Sequence, residues 1–407
     1  MNSDFDSARF QPGRRRFLQG AVATSALLAA RSAPLHALAP EANVQRHLAP
    51  VKVARNRIIR EVVGLRPYRP AGFVVETEQL GKKLLIHNYG HGGAGVTLSW
   101  GTAALALDLA RPFLQTAETL SATTKQRLSK NSLRKTPRRF AVLGCGVNGL
   151  STARLLQRHF QDGPGTVTIY ARDLPPETTS NVAGAFWYPA SAFDPQEATA
   201  KFTDQFQRAC LISNKAFQTL VGSEYGVRWL DTFELLHGEP SFDRELMGGS
   251  RLYPQIEQLR DPEHYFGYPH VRQFSTMMIE PNTYLNALLR DFYVAGGRIV
   301  VREFRKREEI ARLREQLIFN CTGLGSRALF GDEELIPVRG QLEVLLPQPE
   351  IDYCYLGLSA YMFPRRDGII LGGTWDHQDW SLEPNPEQTT SILQAHIEIM
   401  KGLKGKW

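Results

Sequence analysis

The stretch RRFAVLGCGVNGLSTARLL, Arg138–Leu156, decides what this chain can fold into. Phe140 to Leu143 form a short apolar run that reads as a buried strand, and from Val147 the apolar positions return at helical spacing. Between the two stand Gly144, Gly146 and Gly149. In a dinucleotide-binding unit the first such glycine permits a tight turn, the second lets backbone approach a pyrophosphate, and the third lets helix pack close on strand. The helix beginning at Val147 then offers free N–H groups to phosphate oxygens. Three glycines alone are weak evidence, but a second strand, TVTIYARD, follows from Thr166. Asp173 closes it, roughly 20 residues beyond the third glycine, where an acid can bind ribose hydroxyls.

The 407 residues exceed one simple domain and suit two lobes around a cleft. With 43% hydrophobic and 22% charged residues, the composition is that of a folded protein. The formal net charge is +7, and nearly half of it comes from residues 1–31, where five arginines face Asp4 and Asp6. A second basic cluster runs from Lys125 to Arg139 without interleaved aromatics, so it reads as a solvated linker and nucleic-acid binding is not expected. Cys145, Cys210, Cys321 and Cys354 are widely spaced and form no CxxC pair, which points to buried small side chains rather than a metal site or a disulfide framework.

The front of the chain, GRRRFLQGAVATSALLAARSAPLHALAP (Gly13–Pro40), is too short in its apolar part to span a membrane as a stable helix. It resembles a twin-arginine export signal, with Arg14 and Arg15 as the pair and Arg16, Phe17 and Leu18 following in order. Ala37-Leu38-Ala39 offers a small-x-small cleavage site, and Pro40 directly after it disfavours cleavage there. The resemblance implies the twin-arginine export machinery as a partner and a periplasmic or secreted location. If the signal is not used, the protein stays in the cytoplasm.

The segment ARDLPPETTSNVAGAFWYPA, Ala171–Ala190, resembles the stretch after the second strand in D-amino acid oxidases, flavoproteins of the glutathione-reductase-like superfamily. MMIEPNTYLNALLRDFYVAGGRIV, FNCTGLGSRAL, IPVRGQ (Ile336–Gln341) and YMFPRRDGIILGGTWDHQDWS resemble later parts of the same family. So do GLRPYRP (Gly64–Pro70) and IHNYGHGGAGVTLSWG (Ile86–Gly101). In ordinary members these last two motifs come at the C-terminal end, whereas here both precede the glycine turn. The chain therefore looks circularly permuted, which is physically reasonable because domain termini often lie close together on the surface.

The resemblance implies an α/β fold, with a Rossmann-like FAD-binding domain and a substrate domain built on a large mixed β-sheet. On that expectation residues 1–39 are the signal region, 40–115 the permuted segment and 116–137 the basic linker. Residues 138–190 and 276–335 build the FAD-binding domain; 191–275 (in the main) and 336–407 build the substrate domain.

The same resemblance assigns roles. Arg172 and Asp173 would flank the adenosine ribose, Thr178, Thr179 and Ser180 would serve the phosphates, and Gly184, Ala185 and Trp187 would run beside the flavin. In the HGGAGVTLSWG loop the lack of side chains at Gly92 and Gly93 leaves space for the ring system. Gly95, Val96 and Thr97 would bind the flavin there, and the following helix would direct its positive end to the reduced ring. Arg66 would anchor the substrate carboxylate through its planar fork, Tyr361 would share that grip, and the carbonyl of Gly93 would take the substrate amine. Arg69 reads as structural. His87 and His91 read as packing and loop hydrogen bonds rather than metal ligands, because no carboxylate or cysteine completes a set beside them in the sequence.

One position departs from the mammalian-type pattern: Gly357 stands where a lid-like tyrosine is found, with Tyr353 and Tyr355 as nearby substitutes. Tyr188 replaces a pocket residue that varies within the family. The activity implied is oxidation of D-amino acids to 2-oxo acids and ammonia, with FAD as cofactor and O2 as acceptor giving H2O2. The alternatives are a dehydrogenase that passes electrons to a quinone or other carrier, and an exported flavin-binding protein without turnover.

Overall fold

A computed structural model describes residues 48–125, 138–160, 165–238, 251–259, 266–357 and 360–403. The arginine-rich front, residues 1–39, and residues 126–137 of the expected linker lie outside them.

The chain opens with β1 (Ile58–Tyr68), the hairpin β2 (Val74–Leu80) and β3 (Lys83–Tyr89), and α1 (Gly95–Lys125). There follow β4 (Arg138–Leu143), α2 (Val147–His159), β5 (Gly165–Ala171), α3 (Thr179–Val182) and α4 (Ala200–Gln218). Next come β6 (Val227–Leu236), β7 (Glu257–Gln258), β8 (His270–Ile279), the helix Pro281–Val294, β9 (Arg298–Val301) and β10 (Leu317–Asn320). After the short helices Arg307–Ala311 and Gly325–Phe330 on either side of β10 come β11 (Ile336–Leu345), β12 (Tyr353–Leu356), β13 (Tyr361–Arg365), β14 (Gly368–Gly372), β15 (Asp376–His377) and the helix Pro386–Gly402.

Two sheets result among the described residues. The smaller has six strands in the order β2-β3-β10-β4-β5-β9, parallel from β3 through β9. Both its faces are covered, as parallel sheets require. Ile86, Val142, Ile169 and Phe319 turn toward α1 and α2, while Leu85, Ala141, Leu143 and Ile318 turn toward Phe304, Ile310 and Leu313 on the far side. The second sheet has nine strands and is mixed, in the order β1-β11-β14-β13-β12-β6-β8-β7, with β15 on β11. Its one parallel pair among the described residues is β12 with β6.

The segment 40–115 thus supplies an edge strand to the larger sheet and a hairpin plus a helix to the smaller. The expected linker at 116–137 needs correction at its start, because α1 continues through Lys125. Residues 191–275 also reach beyond the substrate sheet, since α4 packs across α1. That crossing is very close: a Cβ on Gly101 would stand 2.0 Å from the Ala209 carbonyl oxygen. Nearby, Trp100 Nε1 donates to the Tyr284 hydroxyl at 2.6 Å, pinning α1 to the Pro281–Val294 helix.

Propensity alone favours alanine over glycine within a helix by about 1 kcal/mol. At Gly101 the backbone contact outweighs it, because the obstructing atom is main chain and cannot swing aside. Gly101→Ala is expected to destabilise the fold by about 1–3 kcal/mol net, read as a lower urea midpoint at unchanged m. An unchanged or raised midpoint would mean that α1 and α4 separate at no cost.

Candidate functional site

A cavity of about 1990 Å³ runs from the C-terminal ends of β4, β5 and β10 to the inner face of the larger sheet. This exceeds the ~300–1,000 Å³ of ordinary ligand pockets, leaving room for a dinucleotide and a small acid together.

At one end lies the glycine turn. Gly144 has φ +102°, and a Cβ on Gly149 would meet the Gly144 carbonyl oxygen at 2.1 Å, so helix and turn touch as the sequence implies. Gly146 precedes α2, whose first N–H, that of Val147, is accepted by Ser180 Oγ at 3.0 Å. Asn148 lines the cavity, and its Oδ1 is buried without a hydrogen-bond partner among the described residues. Arg172 donates twice to Asp173 Oδ2, at 2.9 and 2.7 Å, and both line the cavity. Thr178, Thr179, Ser180, Gly184 and Ala185 line its middle, where Ala185 adopts φ +56°. Gly92, Gly93, Gly95, Val96 and Thr97 form the opposite wall around the N-terminus of α1.

Trp187 departs from expectation. Its side chain is fully buried against Tyr253 and does not line the cavity, while its backbone N–H donates to Met277 O at 2.8 Å. Its neighbours Phe186 and Tyr188 face the cavity instead.

At the other end the pleat of the larger sheet decides what is presented. Residues two apart on a strand share a face, so Val62, Gly64 and Arg66 of β1 stand beside Leu342, Gly340 and Val338 of β11. Gly340 leaves the space that the Arg66 guanidinium fills; a Cβ there would lie 2.2 Å from one of its nitrogens. Gly372 does the same for the Tyr361 ring. Arg66 donates to Arg339 O and Thr374 O, each at 3.3 Å, and to the Tyr361 hydroxyl at 3.4 Å. Its guanidinium carbon stands 4.9 Å from the centre of the Trp375 ring. No carboxylate among the described residues pairs with it. Arg69, by contrast, is committed to Asp332 and Glu334 at 2.9 and 2.6 Å.

Trp375, Thr374, Gly340 and Gly372 were not singled out by sequence reasoning, although all lie inside or beside its quoted motifs. The expected substitutes for the missing tyrosine are also corrected. Tyr353 and Tyr355 are fully buried on the outer face of the sheet, bonded to Ala49 O and His396, and neither lines the cavity. Gly357 does line it.

His87 bonds Glu78 and Asn320, each at 3.0 Å, and His91 bonds Thr102 at 3.1 Å while stacking on Phe73. Burial lowers His87 to about 4, His91 to about 3 and His396 to about 4.

These features fit FAD. The glycine turn, a helix N-terminus aimed into the cavity, an amide oxygen unpartnered among the described residues and an acid at the end of β5 form a dinucleotide cradle, and an arginine that pairs with no described carboxylate stands at the far end. Together they define a nucleotide-cofactor enzyme that acts on a small acid. The chain belongs to the FAD dependent oxidoreductase family, whose model matches residues 139–406. It is 30% identical over 273 residues to a D-amino acid oxidase of Dugesia ryukyuensis, covering 65% of this chain and 78% of that one. It is 32% identical to a D-amino-acid oxidase of Rubrobacter xylanophilus, with coverages of 66% and 78%. It is also 30% identical to human D-aspartate oxidase, with coverages of 66% and 77%.

Two predictions follow from this geometry. In Gly340→Ala the obstructing group is a movable side chain, so the fold and its flavin content should persist while Arg66 is displaced. Affinity for a simple carboxylate such as pentanoate, read from the flavin spectrum, should fall by about tenfold or more; unchanged affinity would remove Arg66 from the anion site. The second concerns acid. In the unfolded chain the three histidines titrate near 6.5, but in the fold they stay neutral down to pH 3–4. Between those values only the unfolded chain takes up protons, so stability falls as pH falls, by up to about 4 kcal/mol per pH unit. Urea midpoints from pH 7 to pH 5 should drop accordingly, and a flat profile would show that the rings are protonated in the fold.

Proposed function

We propose that the protein catalyses FAD-dependent oxidative deamination of D-amino acids, with O2 as electron acceptor. The observation that carries this reading is the Arg66-Tyr361 grip, floored by Gly340 and Gly372 and sharing one cavity with the dinucleotide cradle. Gly144, Gly146, Val147, Asn148 and Ser180 would hold the pyrophosphate region of FAD, Asp173 the ribose, and the N-terminus of α1 the flavin end. Bound FAD supplies a two-electron acceptor.

Arg66 and Tyr361 hold the substrate carboxylate and so fix the α-carbon. Gly93, open to the cavity, would accept a hydrogen bond from the amine in its neutral form. The α-carbon gives up its hydrogen with two electrons and the amine gives up a proton; water then replaces the imino nitrogen, leaving a 2-oxo acid and ammonia. The two electrons reduce O2 to H2O2. No side-chain base is required, so orientation and exclusion of water provide the protein's share of catalysis.

Two further readings belong to this proposal. The order of segments is a circular permutation, supported by a family match that begins at residue 139 while, earlier in the chain, β1 joins the larger sheet and β2 and β3 join the smaller. The front of the chain is a twin-arginine signal and the protein works outside the cytoplasm, supported by the motif at Arg14 and Arg15.

The test is to add D- and L-amino acids to the purified flavoprotein, first without oxygen and then with it. Bleaching by D-isomers followed by rapid reoxidation with peroxide is expected. Slow reoxidation would indicate a dehydrogenase, and no bleaching would sink amine oxidation. Arg66→Met should lower kcat/KM by about 100-fold, as loss of a charge-assisted pair worth about 3 kcal/mol requires.

A further inference from the structure

The inner face of the larger sheet can be followed beyond Tyr361, rung by rung. Tyr361 pairs with Leu356, Leu356 with Glu234, and Glu234 with Arg272. Direct cross-strand partners share a face, so these side chains stand in one row leading away from Arg66. Tyr361, Leu356 and Glu234 line the cavity, and Arg272 does not. Arg272 Nε donates to Glu234 Oε2 at 2.7 Å, and a terminal nitrogen donates to the same oxygen. The Tyr188 hydroxyl, also in the cavity wall, donates to Glu234 Oε1 at 3.4 Å. Both charged side chains are largely enclosed, 12% exposed for Arg272 and 15% for Glu234. The carboxylate stands in front, held from behind by its cation.

We infer that Glu234 is a specificity-determining residue, whose carboxylate admits D-amino acids with neutral or basic side chains and rejects those with a second carboxylate. The inference rests on the D-amino acid reading above. The relatives include one named D-aspartate oxidase and two named D-amino acid oxidases, so membership alone leaves the side-chain class open. With the α-carboxylate at Arg66, a substrate side chain that extends along this row meets Leu356 and then Glu234. A second carboxylate there would lose its water beside a like charge, and Arg272 compensates little because it stands behind Glu234, outside the cavity wall, with its Nε and one terminal nitrogen already given to that carboxylate. A side-chain amide or ammonium finds an acceptor at the same place. Rejection by an unfavourable contact is an ordinary source of specificity.

The experiment compares kcat/KM of the holoenzyme for D-glutamate, D-glutamine and D-lysine. It adds titrations of the flavin spectrum with pentanoate and glutarate, which need no turnover. Wild type should prefer D-glutamine and D-lysine to D-glutamate by about tenfold or more. Glu234→Gln should raise both the D-glutamate to D-glutamine ratio and the glutarate to pentanoate affinity ratio by about tenfold. Glu234→Gln/Arg272→Gln, which leaves no unpaired buried cation to endanger folding, should fall between the two. Ratios unchanged in both variants, or a wild type that prefers D-glutamate, would overturn the inference. If no D-amino acid reduces the flavin but the glutarate to pentanoate affinity ratio still separates wild type from Glu234→Gln, the oxidation reading fails and the negative wall stands.

Discussion

The antiparallel register of β1 on β11 is the constraint on which the site depends. It sets Gly64 opposite Gly340 and Arg66 opposite Val338, so the arginine rises from the inner face next to a rung with no side chains. A one-residue slip would turn Arg66 to the outer face and leave Gly340 facing nothing. The same register carries the alternate residues of β11, Arg339, Gln341 and Glu343, to the outside, where they are buried under the Pro386–Gly402 helix. Gln341 Nε2 bonds Thr389 there at 2.9 Å, and its backbone N–H is accepted by Thr374 Oγ1 at 2.6 Å. Thr374 in turn offers its carbonyl to Arg66. The outer polar layer therefore holds the loop against which Arg66 rests.

Chain order and spatial order part company in this fold, and the reason is visible in the sheets. β3 lies beside β10 and β1 beside β11, although more than two hundred residues separate each pair. β2, β3 and α1 are complete as a unit: a hairpin, a short 3-10 turn at Gly92–Ala94 and a helix. What such a unit must do is reach the cavity with the N-terminus of α1. It does so whether its chain leads onward to β4, as here, or ends. Moving the break in the chain costs loop-closure entropy that grows only slowly with length, whereas moving the unit itself would cost the parallel pairing with β10.

Much of this was legible in the sequence because it is written in local rules. The glycine turn at Gly144, the helix start at Val147 and the strand after Thr166 each follow from spacing and turn chemistry, and Arg66 and Tyr361 stand inside short motifs. Other features depend on the direction of single side chains. Tyr353 and Tyr355 are near Gly357 in sequence, but they share a parity that turns them outward, opposite to Leu356; the pairing of Leu356 with Tyr361 is what fixes that parity. Trp187 lies in an irregular stretch with no period to predict its direction, and it turned into the core while both neighbours turned out. Trp375 lies three residues past the end of β14, beyond Gly373 and Thr374, where alternation stops, so its place over Arg66 is a tertiary fact. The length of α1 was hidden for another reason, since the polar residues after Thr116 run without a break in composition into the basic stretch beyond Lys125.

Arg66 and Arg339 sit on opposite faces of the same strand pair, and the contrast between them argues for what each does. Arg339 is 2% exposed and paired with carboxylates: it reaches Asp376 at 3.3 Å and Asp379 at 3.7 Å, and its terminal nitrogens also donate to Gln388, Gln341 and the Glu383 carbonyl. A buried cation treated in that way stabilises only by avoiding its own desolvation penalty, so its role is to hold strands and loop together. Arg66 is held by two carbonyl dipoles, a hydroxyl and an aromatic face, contacts that orient a guanidinium without neutralising it. Cation-π contact of this kind contributes about 0.5–2 kcal/mol, enough to fix the group and too little to replace a counter-ion. An arginine that is oriented, partly desolvated and lacking a carboxylate among the described residues is in the state from which a planar anion gains most on binding. The fold reaches that state by surrounding it with glycine on one side and tryptophan on the other, and by spending its acidic residues on the arginine behind the sheet.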